Sequence, residues 1–89
     1  MAEKLEKQPS QLSVKIFSPF EVFYEGPAYS LSAKTQTGLF DVLYDHANFI
    51  GLLQAGNVVV RTPFGRRSYQ LNRGVLKVHN NYAVVFANI

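Results

Sequence analysis

Hydrophobic and polar positions alternate along most of this chain, and the period is two. Leu12, Val14 and Ile16 take turns with Ser13, Lys15 and Phe17, which sends one set of side chains to each face of an extended backbone. The texture recurs, with turn formers between segments. Phe20 to Tyr24 is aromatic and β-branched, and Glu25, Gly26 and Pro27 are expected to break it. Tyr29, Leu31 and Ala33 alternate with Ser30, Ser32 and Lys34 before Thr37 and Gly38. Val58 to Val60 follow Gly56 and Asn57, and Pro63, Phe64 and Gly65 turn the chain into Arg67 to Leu71. After the Asn72 to Gly74 corner come Val75 to Val78. Asn80 and Asn81 then make a tight turn, since Asn tolerates the left-handed backbone a hairpin needs, and Tyr82 to Ala87 close the pattern.

No stretch carries a convincing helical period; the least strand-like one, Asp45 to Leu53, is short. Short strands punctuated by Gly, Pro and Asn argue an all-β sandwich or barrel. The expected core is Val14, Ile16, Leu31, Phe40, Leu43, Leu53, Val58, Val60, Leu71, Leu76, Val78, Val84 and Phe86. The mixed-charge residues 1–11, with Pro9, read as a flexible leader, and 12–89 as one domain.

Composition sharpens this in three ways. Eighty-nine residues, 47% hydrophobic and 17% charged, suffice for one small folded core. The absence of cysteine excludes a disulfide staple and a thiolate metal site. No run approaches the roughly 18 apolar residues of a spanning helix, and the first residues lack an apolar signal core, so a non-exported protein without a membrane segment is expected. The +3 charge opens one alternative, a small basic β-barrel that binds nucleic acid through Arg66, Arg67 and Arg73. The excess is thin, and Lys15, Lys34, Arg61 and Lys77 are dispersed.

Chemistry is scarce. His46 and His79 are the only histidines, and neither has a partner at metal-ligand spacing. Asp45 and His46 point to opposite faces of any strand, and Glu21 and Glu25 pair only across a bent one. Neither phosphate-cradling glycine string occurs. Phe17, Phe20, Phe23 and Tyr24 could stack bases, but Glu21 and Glu25 beside them would repel phosphate. The residues thus nominate no catalytic, metal or cofactor site, and a small hydrolase has no converging groups to stand on.

Four strings, in order, resemble the epsilon subunit of F-type ATP synthases. They are Val14-Lys15-Ile16-Phe17-Ser18-Pro19 followed by Tyr24-Glu25-Gly26; Gly38-Leu39-Phe40-Asp41-Val42-Leu43-Tyr44-Asp45-His46-Ala47-Asn48; Leu53-Gln54-Ala55-Gly56-Asn57-Val58; and Gly74-Val75-Leu76-Lys77-Val78, then Asn80-Asn81 and Val84-Val85. The second is similar to the family's Gly-Glu-Phe-Gly-Val-Leu-Pro-Gly-His-Ala-Pro. Departures fall at Leu39, Asp41, Tyr44, Asp45 and Asn48, and again at Arg73 and Lys77. Asp and Asn are the most tolerant replacements where a positive φ is required.

This resemblance implies a two-sheet antiparallel β-sandwich without catalytic activity or cofactor. It implies a central-stalk rotor subunit that links the gamma shaft to the membrane rotor ring and couples ion translocation to ATP synthesis or hydrolysis. Gly38, Leu39, Tyr44, Asp45 and His46 are then expected to face the ring, and Ser18, Phe49 and Gly51 the shaft. The expected partners are the gamma subunit and the ring subunits, with no nucleic acid, and the membrane is met only through the complex. The place implied is the cytoplasmic face of the inner (plasma) membrane, or the matrix or stromal side in an organelle. Family members commonly continue into a C-terminal helical hairpin that can brake ATP hydrolysis; this sequence stops at Ile89, so that brake is not expected of it as given.

Overall fold

The computed structural model describes residues 11–88, over which the regular elements are nine strands. They are β1 (Leu12–Phe17), β2 (Val22–Ala28), β3 (Ser30–Thr35), β4 (Gly38–Leu43), β5 (Phe49–Leu53), β6 (Gly56–Thr62), β7 (Gly65–Leu71), β8 (Gly74–His79) and β9 (Tyr82–Ala87). Apart from Gln11, the expected leader lies outside the described residues, as does Ile89.

One sheet has five strands in the order β2-β1-β9-β8-β5, the other four in the order β4-β3-β6-β7. The chain passes between them at Tyr29, at 44–48, at 54–55 and at 72–73, so the two sheets share one core. Pairing is antiparallel throughout except between β1 and β9, the first and last strands, which run parallel with Val14 beside Ala83 and Ile16 beside Val85. The expected two-sheet antiparallel sandwich is thus present, with this one parallel pair within it. At the other end of the first strand, Leu12 stands opposite Ala28 on β2.

The core is built from Leu12, Val14 and Ile16 of β1, Leu31 and Ala33 of β3, Val42 of β4, Leu53 of β5, Val58 and Val60 of β6, Leu71 of β7, Leu76 and Val78 of β8, and Ala83, Val85 and Ala87 of β9. Val84 and Phe86, expected inside, are only half-buried on the opposite face, and Leu43 is exposed. The reason is register. Asn80 (φ 48°) and Asn81 (φ 63°) form a two-residue hairpin that sets Ala83 opposite Val78 and Val85 opposite Leu76, so the inward parity of β8 dictates that of β9. On β4, Phe40 and Leu43 have opposite parity and cannot share a face; Val42 takes the core place opposite Leu31.

Two further expectations are corrected. Glu25, Gly26 and Pro27 do not end β2, which continues to Ala28. As an edge strand it can hold a proline, whose missing N–H is not demanded by a neighbour. The segment from Asp45 to Leu53 contains a strand after all, β5, whose apolar run carries too few polar alternations to be recognised. A register shift at Ile16/Phe17 inserts one extra residue in β2, so Phe23 and Tyr24 both pack against the core while Val22 stays outside.

Candidate partner-binding surfaces

Beta-4, the 44–48 loop and β5 form one side of the sandwich, and this side collects most of the residues expected to meet a partner. The loop begins with a tight turn in which the His46 N–H donates to the Leu43 carbonyl at 3.1 Å. Its third residue, Asp45, has φ 64°, the left-handed conformation for which Asp is among the few tolerated side chains. The Asp45 N–H donates to Asn81 Oδ1 at 2.6 Å, the Asn81 amide returns a bond to Asp45 Oδ1 at 3.3 Å, and the Asn80 N–H reaches Asn48 Oδ1 at 3.2 Å. The β8–β9 hairpin therefore clamps the loop. From the core side, Phe49 stacks on Phe40 with centroids 4.4 Å apart, and His46 meets Phe40 edge-on at 5.1 Å. The result is a rigid corner presenting Tyr44 and the exposed Asp45 carboxylate, with His46 half-buried.

Gly38 and Leu39 sit at the other end of β4, about 16 Å from Tyr44 at strand rise. They share a side with the corner but not a spot. Leu39 is 79% exposed. Gly51 lies under the Phe49 ring, where a Cβ would stand 2.6 Å from Phe49 Cζ.

Ser18 is elsewhere, in the β1–β2 turn and three strands from β5, so the structure does not unite it with Phe49 and Gly51. Its buried hydroxyl accepts from the N–H groups of Phe20 and Glu21, each at 3.2 Å, and its own N–H donates to the Glu21 carbonyl at 2.8 Å. Ser18 is a turn-former whose effect is to present Phe20, 94% exposed.

Parity and register also reveal a surface that reading strands singly does not. On the outer face of the five-stranded sheet, Leu52 lies opposite Val75, Val75 opposite Phe86, Phe86 beside Phe17 and Phe17 opposite Val22. This apolar row crosses all five strands, about 19 Å at the usual strand spacing, and Phe17 and Phe86 stack at 4.9 Å within it. The next row is Ile50, Lys77, Val84, Lys15 and Glu25. Lys15 lies over the Phe17 ring, 5.0 Å from its centroid. Leu52 and Ile50 are 72% and 69% exposed. The outer face of the four-stranded sheet differs: its rows read Leu43, Ser30, Arg61, Arg66 and Asp41, Ser32, Val59, Ser68, and Ser32 Oγ donates to Asp41 Oδ1 at 2.6 Å. A half-buried antiparallel sheet ordinarily turns polar residues outward. The four-stranded sheet largely does so, whereas the five-stranded sheet carries a continuous apolar band of the kind that marks interaction sites.

The basic alternative loses its footprint. Arg66 and Arg67 alternate across β7, and Arg73 lies beyond the other end of that strand, so the three side chains do not converge on one groove. Among the described residues no group of three or more His, Asp or Glu side chains is placed to hold a metal ion, and no helix is long and apolar enough to cross a membrane.

Comparison with known proteins agrees with this architecture. The family described as "ATP synthase, Delta/Epsilon chain, beta-sandwich domain" matches residues 11–89. The chloroplastic ATP synthase epsilon chain of Tetradesmus obliquus is 35% identical over 77 residues, 86% of this chain and 57% of the relative. The epsilon chain of Clostridium novyi is 30% identical over 76 residues, 84% of this chain and 58% of its own length. The chain thus spans less than two thirds of these relatives. In fold, it superimposes on a chain of the Euglena gracilis mitochondrial ATP synthase with a TM-score of 0.81 at 18% identity, covering 97% of this chain and 56% of that one.

Proposed function

Because this chain belongs to the family of ATP synthase delta/epsilon chain β-sandwich domains, we propose that it is a non-catalytic rotor adaptor of the central stalk, working by contact through two surfaces. The apolar outer face of the five-stranded sheet seats on the gamma shaft. The clamped corner at Tyr44, Asp45 and His46, continued along β4 to Gly38 and Leu39, meets the membrane rotor ring. In this role the subunit transmits torque between ring and shaft, coupling ion translocation to ATP synthesis or hydrolysis, and it joins the membrane only through that assembly.

The observation that carries the assignment is the unequal character of the two outer faces. A permanent shaft contact calls for an apolar surface, as in obligate interfaces; the five-stranded sheet offers one across its width. Packed cores deform little, so a sandwich between two partners suffices to pass strain, and no moving part or bound group is required. Phe49 and Gly51 contribute from within, as the packed base of β5, and Ser18 by fixing the turn that carries Phe20.

The test is co-expression with the gamma subunit of the same source organism. The pair should co-purify, Phe17→Lys should break it, and Arg61→Glu on the polar face should leave it intact. Equal loss from both substitutions, with both variants folded, would refute the face assignment.

A further inference from the structure

Four strands lie at sheet edges: β2 and β5 in one sheet, β4 and β7 in the other. An edge strand offers a row of backbone N–H and C=O groups to any passing chain, and proteins blunt such edges with charges, prolines or bulges. Three of the four carry these devices. Strand β2 has Pro27, Glu25 and the register shift; β4 has Asp41; β7 has Arg66 and Arg67 in succession. Strand β5, Phe-Ile-Gly-Leu-Leu, has none, and no charged residue occurs between Ala47 and Val60. Its exposed side chains, Ile50 and Leu52, are apolar.

We propose that β5 is a strand-addition site, at which the shaft subunit contributes an extended, uncharged segment that pairs with the open edge and makes a sixth strand of the five-stranded sheet. The inference rests on the function proposed above and deepens it by naming the form of the contact. Two features favour a shaft segment over a second copy of this chain. Leu52 ends the apolar row and Ile50 the row beside it, so an added strand with apolar side chains at alternate positions extends the same surface that the shaft covers, and one partner fills both. A second copy paired on β5 alone would bury only this five-residue edge, well short of the roughly 800 Å² per partner of a stable interface, and would bring together two chains of like charge.

Backbone pairing leaves a mark that side-chain packing does not. Hydrogen exchange of the full chain, free and bound to the gamma subunit of the same organism, should show alternate amides of Phe49–Leu53 exchanging freely in the isolated protein. On binding they should slow at least 100-fold, while the edge amides of β2, β4 and β7 stay fast. If the complex forms and the β5 edge amides remain fast, strand addition is wrong although the adaptor role stands. If no complex forms, both readings fall together. If those amides are already protected in the isolated chain and it elutes as a dimer, the occupant is a second copy and the proposal is overturned.

Discussion

Glycine at two positions marks where a side chain would have no room. At Gly74, a Cβ would stand 2.7 Å from the Phe86 carbonyl oxygen, which is backbone and cannot swing aside; at Gly51 the obstacle is the Phe49 ring, itself held against Phe40. Gly74→Ala should therefore destabilise the domain by about 2–3 kcal/mol, in the upper range for overpacking, and Gly51→Ala by about 1 kcal/mol, a ranking that urea denaturation of the two variants can reverse or uphold. Asn81 combines a left-handed backbone with the acceptor for the Asp45 N–H. Asn81→Ala should cost about 1–2 kcal/mol, from the φ penalty and the lost hydrogen bond. Asn81→Gly should recover most of the backbone part, again by denaturation. Asp45, standing where the family usually has glycine, fits the same logic: its φ of 64° and its bonds to Asn81 explain why this replacement keeps the path of the loop.

Among the elements, what could be read from the chain was the local part. The strands at Leu12–Phe17 and Val58–Val60, the Asn80-Asn81 hairpin and the breaks near Gly38 and Gly65 all announce themselves in a few residues. The missing information was relational. The parity of β9 depends on β8 through the hairpin, Pro27 is tolerated only because β2 is an edge, and β5 is apolar at successive positions because one face meets the core and the other carries the end of the apolar outer band. For the same reason the apolar row is invisible strand by strand, where Phe86 reads as core and Phe17 as one of a local aromatic cluster; pairing β1 with β9 in parallel brings them together. The family resemblance nominates the 44–48 corner but not that face. Lysine on the exposed edge at Leu39 should weaken attachment to the rotor ring while leaving the unfolding free energy within about 0.5 kcal/mol, as for surface changes generally. Normal ring attachment of Leu39→Lys in a reconstituted complex would count against a ring contact at this end of β4.

At the scale of the whole molecule, the contrast between an apolar face and a polar, basic one makes opposite demands on salt. Coulombic contacts are screened within about 8 Å at physiological ionic strength, and phosphate binding weakens steeply as salt rises. A contact dominated by Leu52, Val75, Phe86, Phe17 and Val22 should instead hold. Affinity for the gamma subunit should change by less than about threefold between 50 and 500 mM salt, whereas a thousandfold loss, measured by calorimetry, would point to charge in place of apolar packing.

The parallel pairing of β1 with β9 also has a consequence for how the molecule is made. Each strand of the four-stranded sheet pairs with neighbours whose synthesis is complete once Leu71 is added, but β1 finds its central neighbour only when Tyr82–Ala87 emerge. Until that moment the nascent five-stranded sheet exists as two separate halves, and contacts of such long sequence separation form slowly. The last strand is thus the keystone of assembly on the ribosome, and a message cut short before Tyr82 would yield a chain with no way to close.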